Sequence, residues 1–257
     1  MPFVISNKQR IHYKLIGETG PWLILHPPFL LSLDAWDQSG YVQLLERHFR
    51  LVLFDPLGQG RSAAPEISSS YFMESRVQDV VSVMEEVQID FAHFFGMGLG
   101  GQVGFQMALL QSQKILSLIT AGAHPYQSID ELQTLEECLI QFRTGNVANY
   151  LQQWRSKDHL SMDQQEKILM GNPEAQALSL EASCHWQGVA DELDSIPISS
   201  LLFTATSEAG FLSVREAGRH LHHGKYVILP KIQFSHGLWS TEDIVEPLLE
   251  FVRKRRS

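Results

Sequence analysis

The sequence predicts an α/β fold in which a doubly wound, mostly parallel sheet is interrupted by one helical insertion. Three observations predict it. Short continuous apolar runs such as Leu23-Ile24-Leu25 and Leu51-Val52-Leu53-Phe54 alternate with amphipathic stretches of helical period. Strands covered on both faces by crossover helices have this character. The rhythm stops between residues 125 and 197, where helical patterns follow one another with no convincing strand, and it resumes after 198. Ahead of that break, Phe94-Phe95-Gly96-Met97-Gly98-Leu99-Gly100-Gly101 carries an apolar strand through glycines into a helix.

In chain order, residues 2–6 and 10–16 form a hairpin about Asn7-Lys8, since Ile11, Tyr13 and Leu15 alternate with polar neighbours; an edge pair is expected. Residues 21–26 are a buried strand that stops at Pro27-Pro28. A helix over 38–48 leads to a strand at 51–55, closed by the turn Asp55-Pro56-Leu57-Gly58-Gln59-Gly60-Arg61-Ser62. Between 71 and 87, the residues Val77, Val80, Val81, Met84 and Val87 keep to one helical face. A strand at 91–95 enters the glycine turn, the next helix turns Val103, Gln106, Met107 and Leu110 inward, and a strand follows at 118–122. Helical patterns then occupy 129–143, 146–155, 161–170 and 174–189, punctuated by Gly145 and Gly171-Asn172-Pro173. So long a segment is too large for a loop. It is expected to be a helical cap at 125–197, inserted into a core made of 1–124 and 198–257. A strand at 200–205, a helix at 213–222, a strand at 225–230, a loop with Ser235-His236-Gly237 and a helix from Thr241 complete the core.

With 257 residues, 44% apolar and 19% charged, the chain can bury a full core. A net charge of −9 argues against a nucleic-acid partner, and the terminal Arg253-Lys254-Arg255-Arg256 run suits the negative end of a helix dipole. No apolar run approaches the roughly 18 residues of a membrane span, and the start lacks the pattern of a secretory signal, so a cytoplasmic protein is expected. Cys138 and Cys184 have no metal or redox spacing and are expected to be simply buried. No metal and no cofactor are expected.

The glycine turn fits two motifs. Gly96, Gly98 and Gly101 match the dinucleotide fingerprint G-x-G-x-x-G; Gly96, Gly98 and Gly100 match the nucleophile elbow G-x-S-x-G with glycine in place of serine. The dinucleotide reading loses on context. Its fingerprint belongs in the first strand-helix unit, with an acidic residue about 20 positions on to hold the ribose. Here the turn lies in a middle unit, residues 118–126 hold no Asp or Glu, and the next acid is Asp130.

The order of elements, the insertion and four local motifs together resemble the α/β-hydrolase fold family over essentially the whole chain. Leu23-Ile24-Leu25-His26 is similar to the strand ending in the oxyanion loop, and Asp55-x-x-Gly58-x-Gly60-x-Ser62 to the family's D-x-x-G-x-G-x-S turn. Residues 94–101 stand where the elbow stands, and Leu229-Pro230 followed by His236 looks like the catalytic-histidine loop. The resemblance implies an eight-stranded sheet and a site made of a serine, a histidine, an orienting acid and two backbone N–H donors.

Several of those parts are changed. Gly98 at the nucleophile position cannot form an acyl-enzyme. The oxyanion loop is His26-Pro27-Pro28-Phe29, and proline has no N–H to give. If Pro28 holds the donor position only the Leu99 N–H remains; if the loop is one residue longer, Phe29 donates. One register puts the triad acid at Gly210, where it is lost, and another puts it at Glu208. His236 is retained, either as a loop histidine or as a proton-transfer group. His26 and His124 flank the site, with loop packing as their expected part, and Met97 and Leu99 are expected to give it an apolar floor.

The leading expectation is a pseudo-hydrolase or binding protein for a small apolar or ester- or carbonyl-containing molecule, held between core and cap. The alternatives are a non-covalent enzyme of the same fold, a lyase or cofactor-free oxygenase with His236 as base, and a hydrolase in which bound water replaces serine.

Overall fold

A computed structural model describes residues 2–254 apart from Ser128, His159, Ala209, His222, Ile232, Gln233, His236 and Gly237. Eight strands form one sheet: β1 (Phe3–Ser6), β2 (Gln9–Ile16), β3 (Trp22–His26), β4 (Arg50–Phe54), β5 (Ala92–Met97), β6 (Ile115–Ala121), β7 (Ser199–Ala205) and β8 (Gly224–Leu229). Their order across the sheet is β1-β2-β4-β3-β5-β6-β7-β8. The two pairings made by β2 are antiparallel, with β1 and with β4, and every pairing from β4 to β8 is parallel. The expected hairpin is present: Asn7 at φ 45° and Lys8 at φ 67° make the reversal, and β1 is an edge strand.

Alternation along the strands divides the apolar residues between two cores. Leu23, Leu25, Leu53, Phe95, Ile119 and Phe203 face one side, with α1 (Asp34–Gln38), α2 (Tyr41–Leu45) and α10 (Thr241–Arg253) packed against them. Ile24, Val52, Phe54, Phe94, Leu118 and Leu202 face the other, under α3 (Met73–Glu86), α4 (Leu99–Leu110) and α9 (Phe211–His220). One expectation is corrected here. The helix expected over 38–48 is only α2 at Tyr41–Leu45, with α1 at Asp34–Gln38 ahead of it, because Gly40 at φ 88° between them takes a left-handed conformation that a continuous helix cannot contain.

After β6 the chain leaves the sheet and returns at β7. Between them lie α5 (Ile129–Arg143), α6 (Val147–Asp158), α7 (Met162–Leu169) and α8 (Pro173–Cys184), with no strand among the described residues. The last of these is shorter than the 174–189 pattern implies. Past Cys184 the backbone turns back, and Val189 N–H donates to the Pro125 carbonyl at 2.8 Å. Ser161 and Gln164 form a reciprocal capping box at the start of α7, and Asn172 caps α8 ahead of Pro173.

This helical segment is tied to the rest of the molecule by a buried arginine. Arg76 on α3 donates from Nε to the Tyr71 carbonyl at 2.7 Å and from Nη2 to Ser179 Oγ on α8 at 2.8 Å. Burial lowers its guanidinium to about 10. Lys167 of α7 adds an exposed link to Asp34 at 3.1 Å. Two short strands, β9 (Phe234–Ser235) and β10 (Leu238–Trp239), pair as a separate hairpin that the sequence pattern did not announce. No described helix is long and apolar enough to cross a membrane.

Candidate functional site

β5 runs directly into α4 through Gly98, which sits at φ 50°, ψ −122°. That is a strained conformation for any residue with a side chain. The turn is anchored by Gly98 N–H donating to the Ala121 carbonyl at 3.0 Å and by the Gly98 carbonyl accepting from Gly101 and Gln102. Its other glycines are set by contact. A Cβ on Gly96 would lie 2.2 Å from the Gly100 carbonyl oxygen, and one on Gly100 would lie 2.4 Å from the His26 carbonyl oxygen. A Cβ on Gly101 would lie 2.5 Å from the Ala123 Cβ. The glycines are thus needed so that the turn can close upon itself and against β3. This accounts for the letters of the dinucleotide fingerprint without a nucleotide.

Pro28 approaches Gly98 from one side. A side chain added there would meet Pro28 Cβ at 3.3 Å. Pro28 belongs to the loop that leaves β3, where its carbonyl accepts from Leu31 N–H at 3.3 Å. Phe29, the next residue, turns its ring toward Phe142 of α5 at 5.9 Å between centroids. Met97 and Leu99, expected as an apolar floor, are instead buried in opposite cores, one on each side of the sheet. Their direction follows from strand alternation and from the sharp reversal at Gly98.

His26 lies beneath the same loop, 1% exposed, and its Nδ1 donates to the Pro27 carbonyl at 2.9 Å. Phe54 meets the ring edge-on, and burial pushes its pKa down to about 3. It is a buried ring that stays uncharged at neutral pH. His124 has a different setting. It follows β6, is buried, and its Nε2 is hydrogen-bonded to Glu131 Oε1 of α5. Its Nδ1 has no partner among the described residues. A Cβ on Gly210 would lie 2.5 Å from His124 Cδ2, so the His124 ring fills the space that a side chain at 210 would need. Two predicted positions, His124 and Gly210, are brought into contact, and Glu131 joins them without having been foreseen. Glu208 is half-buried in the turn after β7. His236 lies outside the described residues.

The Asp55 turn is a structural hub. Asp55 Oδ1 accepts from Leu33 N–H at 2.8 Å, while Oδ2 accepts from Arg61 N–H at 2.9 Å and from His12 Nδ1 at 2.7 Å. Ser62 Oγ donates to the Asp55 carbonyl and accepts from His12 N–H. The D-x-x-G-x-G-x-S pattern therefore stitches β2, the loop before α1 and the turn after β4 into one unit. Beside it lies a cavity of about 460 Å³ between this turn, the 30–38 stretch and residues of α7 and α8. Gly98 and Leu99 are not part of its wall. The cavity is offset from the elbow toward the β2 side of the sheet. Among the described residues no three His, Cys, Asp or Glu side chains converge as a metal site requires.

A parallel sheet entered by an antiparallel hairpin, a glycine elbow after β5 and a helical excursion after β6 define a hydrolase-type α/β protein. The chain belongs to the alpha/beta hydrolase fold family, whose profile matches residues 21–166. It is 26% identical over 119 residues to the protein called "Putative carbamate hydrolase RutD" of Serratia proteamaculans, a match spanning 45% of this chain and 43% of that one. The match thus spans less than half the length of that relative. Its fold is similar to an enol-lactonase from Burkholderia xenovorans, with a TM-score of 0.78, 21% identity, and 98% and 97% of the two chains covered. It is also similar to the bottromycin epimerase BotH, with a TM-score of 0.73, 18% identity and 88% of each chain covered.

Proposed function

We propose that this chain is a hydrolase-family protein without serine chemistry, which uses the seam between its core and a helical cap at 125–197 to bind a small, largely apolar, carbonyl-containing molecule. One observation carries the reading: Gly98 stands at the elbow, and Pro28 lies 3.3 Å from where its Cβ would be. Without a hydroxyl there is no acyl-enzyme. Two prolines in the loop remove N–H donors from the place where an oxyanion would be held, and loss of one such donor can cost roughly 10²–10³ in rate. The volume of the seam cavity lies in the range of small-molecule sites, roughly 300–1,000 Å³.

The test is labelling by a fluorophosphonate, together with p-nitrophenyl acetate turnover by the parent and by Gly98→Ser. No labelling of the parent and no efficient turnover by either protein is expected. Stoichiometric labelling of a serine in the parent would overturn the reading.

A second reading is favoured by the His124–Glu131 pair and by the epimerase that shares the fold. An imidazole bonded to a carboxylate through Nε2 carries its proton there, which leaves Nδ1 as a base whose cation the carboxylate would stabilise. In that case the protein moves a proton next to a carbonyl without a covalent intermediate, with His124, or His236 as the family resemblance suggests, as the base. Solvent deuterium incorporation into a bound carbonyl compound, lost in His124→Gln, is the outcome that reading requires.

A further inference from the structure

We infer that Arg76 and Asp79 form a pH-dependent catch, which holds α8 to the core while Asp79 is neutral and slackens once Asp79 is ionised. The two lie one turn apart on α3, where residues i and i+3 are neighbours on the helix surface. Both are buried. The guanidinium is committed to other partners: Nε donates to the Tyr71 carbonyl at 2.7 Å, and Nη2 donates to Ser179 Oγ at 2.8 Å and to the Ser179 carbonyl at 3.3 Å. Asp79 Oδ1 is buried and has no hydrogen-bond partner among the described residues. That is the arrangement expected of a carboxyl that carries its proton. A guanidinium bonded to a carboxylate gains a charge–charge attraction that a hydroxyl cannot offer, and burial enlarges the difference. Once ionised, Asp79 therefore competes with Ser179 for the Arg76 fork.

The groups around the pair leave Asp79 as the one that changes charge near neutrality. Burial pushes its carboxyl up to about 7, against the pull of Ser6 of β1 and of the Arg76 charge. Arg76, at about 10, stays a cation. Burial pushes up the phenol of Tyr71, in the turn before α3, and that of Tyr13 on β2, so both keep their protons. His26 of β3 feels the Arg76 charge and, at about 3, is neutral. Glu66 lies beyond Tyr71 and is exposed. The helix packed beside α3, α4, has no charged residue, and α8 presents Ser179 itself at the contact. Because Gln176 of α8 also lines the seam cavity, slackening of this helix opens the seam as pH rises. The inference is independent of what the seam binds.

The experiment is hydrogen exchange of the full chain at pH 5.5 and pH 8.5, corrected for the intrinsic rate at each pH, with the carboxyl carbon of Asp79 followed by NMR over the same range. The central strand β5 reports global unfolding. At the higher pH, α8 is expected to lose roughly tenfold more protection than β5 does, and the Asp79 carboxyl is expected to titrate near neutrality. Asp79→Asn has no charge to offer, so its α8 should keep the same protection relative to β5 at both pH values; Asp79→Leu serves the same comparison if the asparagine variant does not fold. In Ser179→Ala the hydroxyl that holds the fork is gone, and α8 should exchange faster than in the parent at pH 5.5. Three results would overturn the catch: α8 and β5 losing protection equally in the parent, the extra loss in α8 persisting in Asp79→Asn, or the Asp79 carboxyl titrating only below pH 5.

Discussion

Asp79 and His26 respond to pH in opposite senses. Asp79 on α3 is pushed from 3.8 up to about 7, chiefly by burial. The folded protein then keeps a proton that the unfolded chain has released, so this contribution to stability is complete below pH 3.8 and is lost as pH rises through about 7. His26 is pushed from 6.5 down to about 3, so its contribution is complete above pH 6.5 and is lost as pH falls toward 3. Each slope approaches about 1.4 kcal/mol per pH unit, and between the two reference values they oppose each other. Asp79→Asn is expected to melt higher than the parent at pH 8 and to expose the His26 decline below pH 6.5. Melting curves from pH 4 to 8 check this; a lower Tm for Asp79→Asn at pH 8 would mean that pairing with Arg76 outweighs burial. At Gly98 the expectation is a loss. Gly98→Ser puts a Cβ at φ 50° and 3.3 Å from Pro28, at a cost of roughly 1–3 kcal/mol, read as a lower Tm. His124 shows where residue-level reading of the sequence stops. Its carboxylate partner lies on a different element, α5, and nothing in the spacing marks Glu131 as the one that reaches it.

The elbow is the element whose letters and place were legible and whose physical reason was not. The same residues spell two motifs; the position of the turn along the chain already set the dinucleotide reading aside, and the contacts of the missing Cβ atoms give the glycines their reason. Gly96→Ala and Gly100→Ala would each drive a methyl into a backbone oxygen closer than 2.5 Å, and backbone cannot swing aside as a side-chain tip can. Both variants are expected to be insoluble or to lose at least about 3 kcal/mol, near the upper end for overpacking, as measured by denaturant unfolding. By contrast, Ser161→Ala removes one half of the capping box and should cost about 1 kcal/mol. Helix periodicity and apolar runs located the eight strands and placed α5 over 129–143 as observed. The same signals failed over 38–48, where a single left-handed glycine outranks periodicity. They also gave no notice of the 3-10 turn at Ser68–Tyr71, which is too short to show a period.

For the molecule as a whole, the sequence showed alternation and its interruption, and hence a sheet with a helical excursion. It did not show what fastens the excursion down, because Arg76 and Ser179 lie 103 residues apart. Arg76→Lys keeps the charge but loses the planar fork that reaches Tyr71 and Ser179 together. Hydrogen exchange is expected to accelerate in α8 and to stay unchanged in β3 and β5; uniform acceleration would mean that Arg76 stabilises the whole fold and not the fastening alone. The strand order also bears on how the chain emerges during translation. β6 pairs with β5 as soon as both exist, whereas its other neighbour, β7, follows only after residues 122–198 have been made. At ~5–20 residues per second the growing chain therefore carries an open, apolar parallel edge for roughly 4–15 s. During that interval β6 is the strand most in need of a chaperone, and crowding on polysomes is the condition under which this protein is most exposed to aggregation.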